Sequence, residues 1–283
     1  EYGEEKKMKK FLVLIVFAMI MIFALSCGNE KKSSGYELAL ITDVGTIDDR
    51  SFNQGSWEGL KKYAEEKGIT HKYYQPTEKT TDAYIDSIDL AVAAGAKIVV
   101  TPGFLFEPAI YKAQDIHPEV NFVLLDGSPQ DGNYQDFRIE KNVYSVFYAE
   151  EEAGFLAGYG AVKEGYTNLG FMGGMAVPAV IKFGYGFVQG VNYAAKELGI
   201  RNVKVDYNYL GGFNPSPEIQ TKAASWYRNG VQVIFVAGGG AGNSVMSAAE
   251  QNNGYVIGVD VDQSSESPTV ITSAMKMIGE SVY

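Results

Sequence analysis

Three aspartates in this chain each follow a short apolar run, where a carboxylate is well placed to accept hydrogen bonds from a ligand. Asp43 follows Leu38-Ala39-Leu40-Ile41-Thr42, Asp126 follows Phe122-Val123-Leu124-Leu125, and Asp260 follows Ile257-Gly258-Val259. A fourth run, Phe235-Val236-Ala237, leads into Gly238-Gly239-Gly240-Ala241-Gly242, where the lack of side chains permits close approach of backbone to a ligand. Any one of these features fits a solvated loop, but three carboxylates at equivalent places point to a binding site. The glycine segment reaches no third glycine in either register of the dinucleotide pattern, and it lacks the lysine and hydroxyl residue of a phosphate loop. The two histidines, His71 and His117, fit no metal-ligand spacing, and no Ser-His-Asp or Cys-His arrangement is evident. The chemistry expected is recognition, without a cofactor, a metal or a catalytic residue.

The elements that must position these groups alternate along the chain. Apolar runs at 37–42, 98–100 and 122–125 read as strands of a covered sheet, with a further strand at 71–75. Between them, helical periodicity covers 51–68 (Trp57, Leu60 and Ala64 inward, Ser51 as cap), 81–95 and 107–116. A second series starts near Val143 with a helix over 148–162, whose small residues Ala149, Ala153, Ala157 and Gly160 are expected to permit close packing. Strands at 169–172, 203–210, 233–237, 255–259 and 270–272 follow, with helices at 180–198, 217–229 and 244–251. Strand–helix alternation implies α/β architecture with parallel sheets, and right-handed crossovers make it doubly wound. Two such units imply two lobes with a cleft between them, and ligands gather at the carboxyl ends of the strands.

The N-terminal region has a different character. Lys6, Lys7, Lys9 and Lys10 precede fifteen uncharged residues, Phe11 to Leu25, a length suited to a signal-peptide core and short for a membrane span. Ala24-Leu25-Ser26-Cys27 ends the run at the only cysteine and resembles a bacterial lipobox, with Ala24 where leucine is commonest. Residues 1–26 are therefore expected to be removed, with Met8 the start of translation, and Cys27 to carry lipid. Residues 27–35 are polar and read as a tether. The rest of the chain, with a formal net charge of −10 overall and no later run of lysine or arginine, excludes nucleic acid as a partner and leaves membrane attachment to the lipid. A single cysteine leaves the fold to be held by its core.

Four segments carry a wider resemblance. Thr42-Asp43-Val44-Gly45-Thr46-Ile47-Asp48-Asp49-Arg50-Ser51-Phe52-Asn53-Gln54 is the first, and Gly173-Gly174 with Lys182-Phe183-Gly184-Tyr185-Gly186-Phe187 the second. Ile257-Gly258-Val259-Asp260-Val261-Asp262-Gln263 and Thr272-Ser273-Ala274-Met275-Lys276 complete the set. Over residues 36–283 the chain resembles the basic membrane protein lipoproteins, substrate-binding components of ABC transporters that include purine nucleoside receptors. The resemblance implies a type I periplasmic-binding-protein fold, with an N-terminal lobe of 36–142 plus 264–283 and a C-terminal lobe of 143–263. That family continues for some tens of residues beyond the position of Lys276, so the last helices of the first lobe and a third crossover are expected to be missing from this sequence.

The resemblance also implies roles. Phe52 and Phe183 would stack on the two faces of a purine, with Phe187 one turn further along and in the core. Asp260 and Lys276 would hold the ribose diol, and Asp43 and Asp126 would accept from base or sugar donors. Asn53, Gly238 and Gly240 join the expected ligand-binding set; Asp49 either contacts ligand or caps the first helix. The implied partners are guanosine, inosine or adenosine and a membrane permease, with the protein lipid-anchored to the cell membrane and facing the periplasm or exterior. A hydrolase reading rests on a fainter likeness of Asp43-x-Gly45 and Asp48-Asp49 to the calcium motif of nucleoside hydrolases. There Ile41 replaces the first aspartate and one extra residue breaks the cage. A surface adhesin or sensor on the same fold is the third reading.

Overall fold

The computed structural model describes residues 35–43 and 45–283. The expected signal segment, Cys27 and the tether up to residue 34 lie outside them. No helix among the described residues is long and apolar enough to cross a membrane.

The first half contains β1 (Leu38–Ile41), α1 (Phe52–Lys67), β2 (His71–Tyr74), α2 (Thr81–Ala93), β3 (Ile98–Pro102), α3 (Glu107–Ile116), β4 (Asn121–Leu125) and β5 (Val143–Val146). The second contains α4 (Glu150–Lys163), β6 (Asn168–Gly173), α5 (Pro178–Leu198), β7 (Lys204–Tyr209), α6 (Pro217–Arg228), β8 (Val233–Ala237), α7 (Ala241–Asn252), β9 (Tyr255–Asp260), β10 (Val270–Met275) and α8 (Ile278–Val282). Strands and helices alternate except where β4 runs on to β5 and β9 to β10 without a helix between. Two five-stranded sheets result, ordered β2-β1-β3-β4-β5 and β10-β9-β8-β6-β7. Every pairing is parallel, as the alternation requires.

The lobe boundaries differ from those expected by one strand at each crossing. β5 pairs with β4 and so belongs to the first sheet, although Val143 was expected to open the second lobe. β10 pairs with β9 in the second sheet, although residues from 264 onward were expected in the first. Lobe 1 is thus β1 to β5 with α8, and lobe 2 is α4 to β10, joined through residues 147–149 and 276–277. The helix α8 lies on α1, where Gly59 approaches the backbone of Gly279 so closely that no side chain fits. An apolar strand records that it is buried; it does not record its neighbour.

Both faces of each sheet are covered, and side chains alternate accordingly. In lobe 1, Leu38 and Leu40 pack with Leu60 and Ala64 of α1, while Ala39 and Ile41 pack with Tyr84 and Ile88 of α2 and Ile110 of α3. In lobe 2, Leu169, Phe171 and Phe235 pack with Phe187 and Val191 of α5, while Met172, Ile234 and Val236 pack with Ala223 of α6 and Val245 of α7. Fully burying one such side chain contributes roughly 1.5–3 kcal/mol. The helices α4 and α5 pack in close contact, with the nearest approaches made by glycines outside the expected stripe. Gly154 and Gly158 abut the carbonyls of Phe183 and Phe187, and Gly186 and Gly190 abut those of Glu151 and Phe155. Ala157 joins the core cluster that holds Phe183, Phe187 and Val191 of α5, and Gly160 faces open space.

Candidate functional site

The site begins at the N-terminus of α1, which Asp49 holds. Its Oδ1 accepts from the backbone N–H groups of Ser51 (2.9 Å) and Gln54 (3.0 Å). Its Oδ2 accepts from the backbone N–H of Asn53 (3.0 Å) and from Asn53 Nδ2 (3.0 Å). A carboxylate there satisfies donors that the helix cannot pair internally and is favoured by the helix dipole. With both oxygens engaged, Asp49 positions α1, and of its two expected roles the geometry realises the cap. Burial pushes its carboxyl upward and these hydrogen bonds oppose the shift. Ser51, expected as the cap, makes no such bond. Its hydroxyl instead donates across the cleft to Asp260 Oδ2 at 2.5 Å.

From that anchored turn, Asn53 Nδ2 also donates to Asp43 Oδ1 at 2.9 Å, and the Gly45 N–H donates to the same oxygen at 2.7 Å. Burial raises the Asp43 carboxyl, opposed by these two bonds. Asp43, Asp49, Phe52 and Asn53 line one wall of a cleft with Gly103, Phe104 and Asp126. Val177, Pro178, Phe183, Phe213, Gly238, Gly239 and Asp260 line the other, with Lys276 from the second crossing. The cleft holds about 710 Å³ not filled by protein atoms, counting its mouth. Both Phe183 and Phe187 are buried against Phe235, at 5.8 and 5.3 Å between ring centroids, but only Phe183 borders the cleft. Gly240 is not on the wall: it begins α7 and packs behind, against Phe213 and Pro215. Gly239 takes its place, at a φ of 54° suited to glycine.

The charge centre is Lys276. Its ammonium donates to Asp126 Oδ2 and lies 3.2 Å from Glu150 Oε1 and 3.9 Å from Asp260 Oδ1. All four side chains are at most 10% exposed. Burial disfavours the ammonium, but Asp126, Asp260 and Glu150 outweigh it and hold Lys276 above the ordinary lysine range. Three carboxylates face this ammonium, and Lys182 lies 3.3 Å from the far oxygen of Glu150, which leaves Asp126 and Asp260 as the carboxyls that burial raises. Burial, with Glu150 alongside, raises Asp126 to about 7 against the pull of Lys276. Glu150 is also buried, yet Lys276, its backbone hydrogen bonding and Asp126 bring it below its ordinary value. Asp126 and Asp260 both hold left-handed backbone conformations, at φ of 55° and 67°, which aspartate tolerates better than most residues.

Aromatic rings surround the same ammonium. Its nitrogen is 4.9 Å from the centroid of Phe52, 5.2 Å from Phe183 and 5.3 Å from Tyr148, within cation–π range. The residues that sequence reasoning missed are Glu150, Tyr148, Ser51 in its bridging role, Phe104, Phe213 and Gly239. Glu150 sits in Glu150-Glu151-Glu152, a run that reads as an acidic first helical turn and hides the one member that points inward. Chemically, the site suits an uncharged ligand with a flat ring and hydroxyl or N–H donors. The excess of carboxylates disfavours an anion.

Residues 36–283 match the family model Bmp, described as ABC transporter substrate-binding protein PnrA-like. The chain is 32% identical over 272 residues to the ABC transporter nucleoside-binding protein BmpA of Lactococcus lactis subsp. cremoris, covering 88% of this chain and 73% of that one. It is 31% identical over 281 residues to basic membrane protein A1 of Borrelia garinii subsp. bavariensis, covering 97% and 79%. A solved ABC transporter solute-binding protein from Aeropyrum pernix superposes with a TM-score of 0.75 at 26% identity, covering 88% of this chain and 69% of that one. With the family model spanning residues 36–283 and two parallel-sheet lobes enclosing the cleft, the chain belongs to the Bmp family of ABC transporter substrate-binding proteins.

Proposed function

We propose that this protein captures purine nucleosides between its lobes and presents them to an ABC permease, held at the membrane exterior by lipid on Cys27. The observation that carries the reading is the convergence of Phe52 and Phe183, from opposite lobes, on the Lys276 cluster. In this reading the two rings stack on the base, where one stack contributes roughly 1–3 kcal/mol. Asp260 and Lys276 hold the ribose hydroxyls, and Asp126 accepts from base or sugar. The name of the Lactococcus relative, a nucleoside-binding protein, supports the ligand class.

Capture proceeds by closure of the lobes over the ligand. Closure is assisted by bonds made directly between the lobes. Ser51 reaches Asp260, Gln263 Nε2 donates to the Arg50 carbonyl at 2.7 Å, and Arg50 pairs with Glu266 at 2.5 Å. The hydrolase reading is the weaker one. Asp43 Oδ1 and both oxygens of Asp49 already accept from Gly45, Ser51, Asn53 and Gln54, which disfavours a shared metal cage. Titration calorimetry with guanosine, inosine, adenosine, free ribose and a free purine, with chromatography of the mixtures, tests the proposal. Nucleoside binding with the glycosidic bond intact is expected. Release of base, or binding of ribose alone, would overturn it.

A further inference from the structure

The outer face of α4 and α5, on lobe 2, is apolar where water would favour polar side chains. Ile181, Tyr185, Gln189 and Tyr193 stand four positions apart and form one exposed row along α5. Beside them Leu156 of α4 is 67% accessible, more than any other large apolar side chain among the described residues. Phe155, Tyr159 and Tyr193 meet across the seam between the helices, with ring centroids 5.8 to 6.2 Å apart. Phe155, Leu156, Tyr185 and Gln189 line one groove together with Glu151 and Glu152. Single apolar residues are ordinary on a surface, but a contiguous set marks an interaction face.

The charges around the face select what covers it. Gly186 abuts the carbonyl of Glu151 and Gly190 that of Phe155, so the two helices run parallel with an offset of 35 positions. The first turn of α4 carries Glu151 and Glu152, and the last turns of α4 and α5 carry Lys163 and Lys196. Lys163 pairs with Glu197 (2.6 Å), and Lys182 with Glu150 (3.3 Å) and Glu151 (3.9 Å). Among the described residues, Glu152 and Lys196 pair with no opposite charge. Lys196 stands level with residue 161, about nine positions or roughly 13 Å along the seam from Glu152. Leu156 and Tyr193 lie between them. A two-fold axis there sets Glu152 of one protomer against Lys196 of its partner, twice, with the apolar rows of both between these pairs. An apolar centre rimmed by charge is the anatomy of a protein–protein interface. A lipid surface fits less well, because membrane-lying faces flank their apolar side with lysine and arginine, and Glu151 and Glu152 would meet anionic headgroups.

We propose that a second copy of this chain docks on the α4–α5 face, related by a two-fold axis near Leu156 and Tyr193 and held in register by two Glu152–Lys196 pairs. Both helices belong to lobe 2, so pairing leaves lobe 1 of each copy free to close over its own cleft.

The test is sedimentation equilibrium of residues 28–283, which contain the whole compact two-lobed unit without Cys27. Wild type is expected to dimerise with a Kd of about 100 μM or tighter. Glu152→Lys or Lys196→Glu alone brings like charges together at both pairs and is expected to weaken the dimer on the order of tenfold or more. The double variant re-forms both pairs with the signs exchanged and is expected to return to within about threefold of wild type. Leu156→Glu is expected to leave only monomer. Wild type that stays monomeric up to about 100 μM would overturn the proposal. A dimer indifferent to Leu156→Glu and to both charge variants would do the same, and charge variants that their combination does not restore would overturn the two-fold register. Vesicles of equal parts phosphatidylcholine and phosphatidylglycerol test the other occupant. Monomeric wild type that sediments with them, where Leu156→Glu does not, would give the face to a lipid surface and overturn the dimer. Thermal melting checks the fold of each variant, and the two surface charge variants decide alone if Leu156→Glu does not fold.

Discussion

Replacing Lys276 by methionine keeps most of the stem volume and removes the ammonium that faces Asp126, Glu150 and Asp260. At an effective dielectric of about 20, attraction across 3.2 Å to Glu150 is about 5 kcal/mol, and across 3.9 Å to Asp260 about 4 kcal/mol. Desolvation of the buried ions offsets much of that, so the intact cluster adds little net stability. Breaking it is different, because Asp126 and Asp260 remain buried without a counterion, while Glu150 keeps Lys182 at 3.3 Å. Their loss of partner is expected to cost about 3–5 kcal/mol at pH 8. The cost should shrink at pH 5, where the carboxylates escape it by taking up protons. Urea unfolding of wild type and Lys276→Met at both pH values measures this as a shift of midpoint at constant slope. Adding Asp126→Asn to Lys276→Met should recover part of the loss, since it removes one of the stranded charges. A loss below about 1 kcal/mol at pH 8, or the same loss at pH 5, would refute the reasoning.

The ligand-free wild type should itself lose stability as the medium is made alkaline. Asp126 is raised from 3.8 to about 7, so the folded chain retains a proton that the unfolded chain has released. Its contribution is complete below the unfolded value and is lost as pH rises through about 7, amounting to about 2 kcal/mol between pH 5.5 and 7.5. Calorimetric melting should give a falling Tm over that interval, flatter in Asp126→Asn; a rising Tm would contradict the assignment. The α4–α5 contact makes an independent prediction with opposite signs at two glycines. Gly186→Ala forces a methyl against the Glu151 carbonyl and should destabilise by about 1–3 kcal/mol. Gly160→Ala meets open space in a helix and should stabilise by up to about 1 kcal/mol. Chemical denaturation of both variants checks the pair.

Much of this arrangement was legible in the sequence, for reasons that can be traced to particular residues. Leu38-Ala39-Leu40-Ile41 is apolar at every position because both faces of its sheet are covered, and that signature survives without any knowledge of partners. Asp43, Asp126 and Asp260 were visible because each follows such a run at the end where parallel sheets present their ligands. Phe183 was separable from Phe187 because the residue nearer the start of α5 lies nearer the cleft. What stayed hidden depends on chain pairs far apart in sequence. Ser51 looked like a local cap, but its hydroxyl is drawn to Asp260, 209 residues away, while Asp49 holds the helix. The affiliations of β5 and β10 follow from sheet edges that no local pattern encodes. Gly239 and Gly240 differ only in backbone angle and environment, which composition cannot distinguish.

Guanosine titrated calorimetrically into wild type and Phe52→Ala, with ribose titrated into both, tests the central claim most directly. The cleft described here predicts one guanosine per wild-type chain and an affinity lowered roughly 5- to 150-fold in Phe52→Ala, the equivalent of one lost base stack. Equal guanosine affinity in the two proteins, or heat from ribose where guanosine gives none, would contradict it.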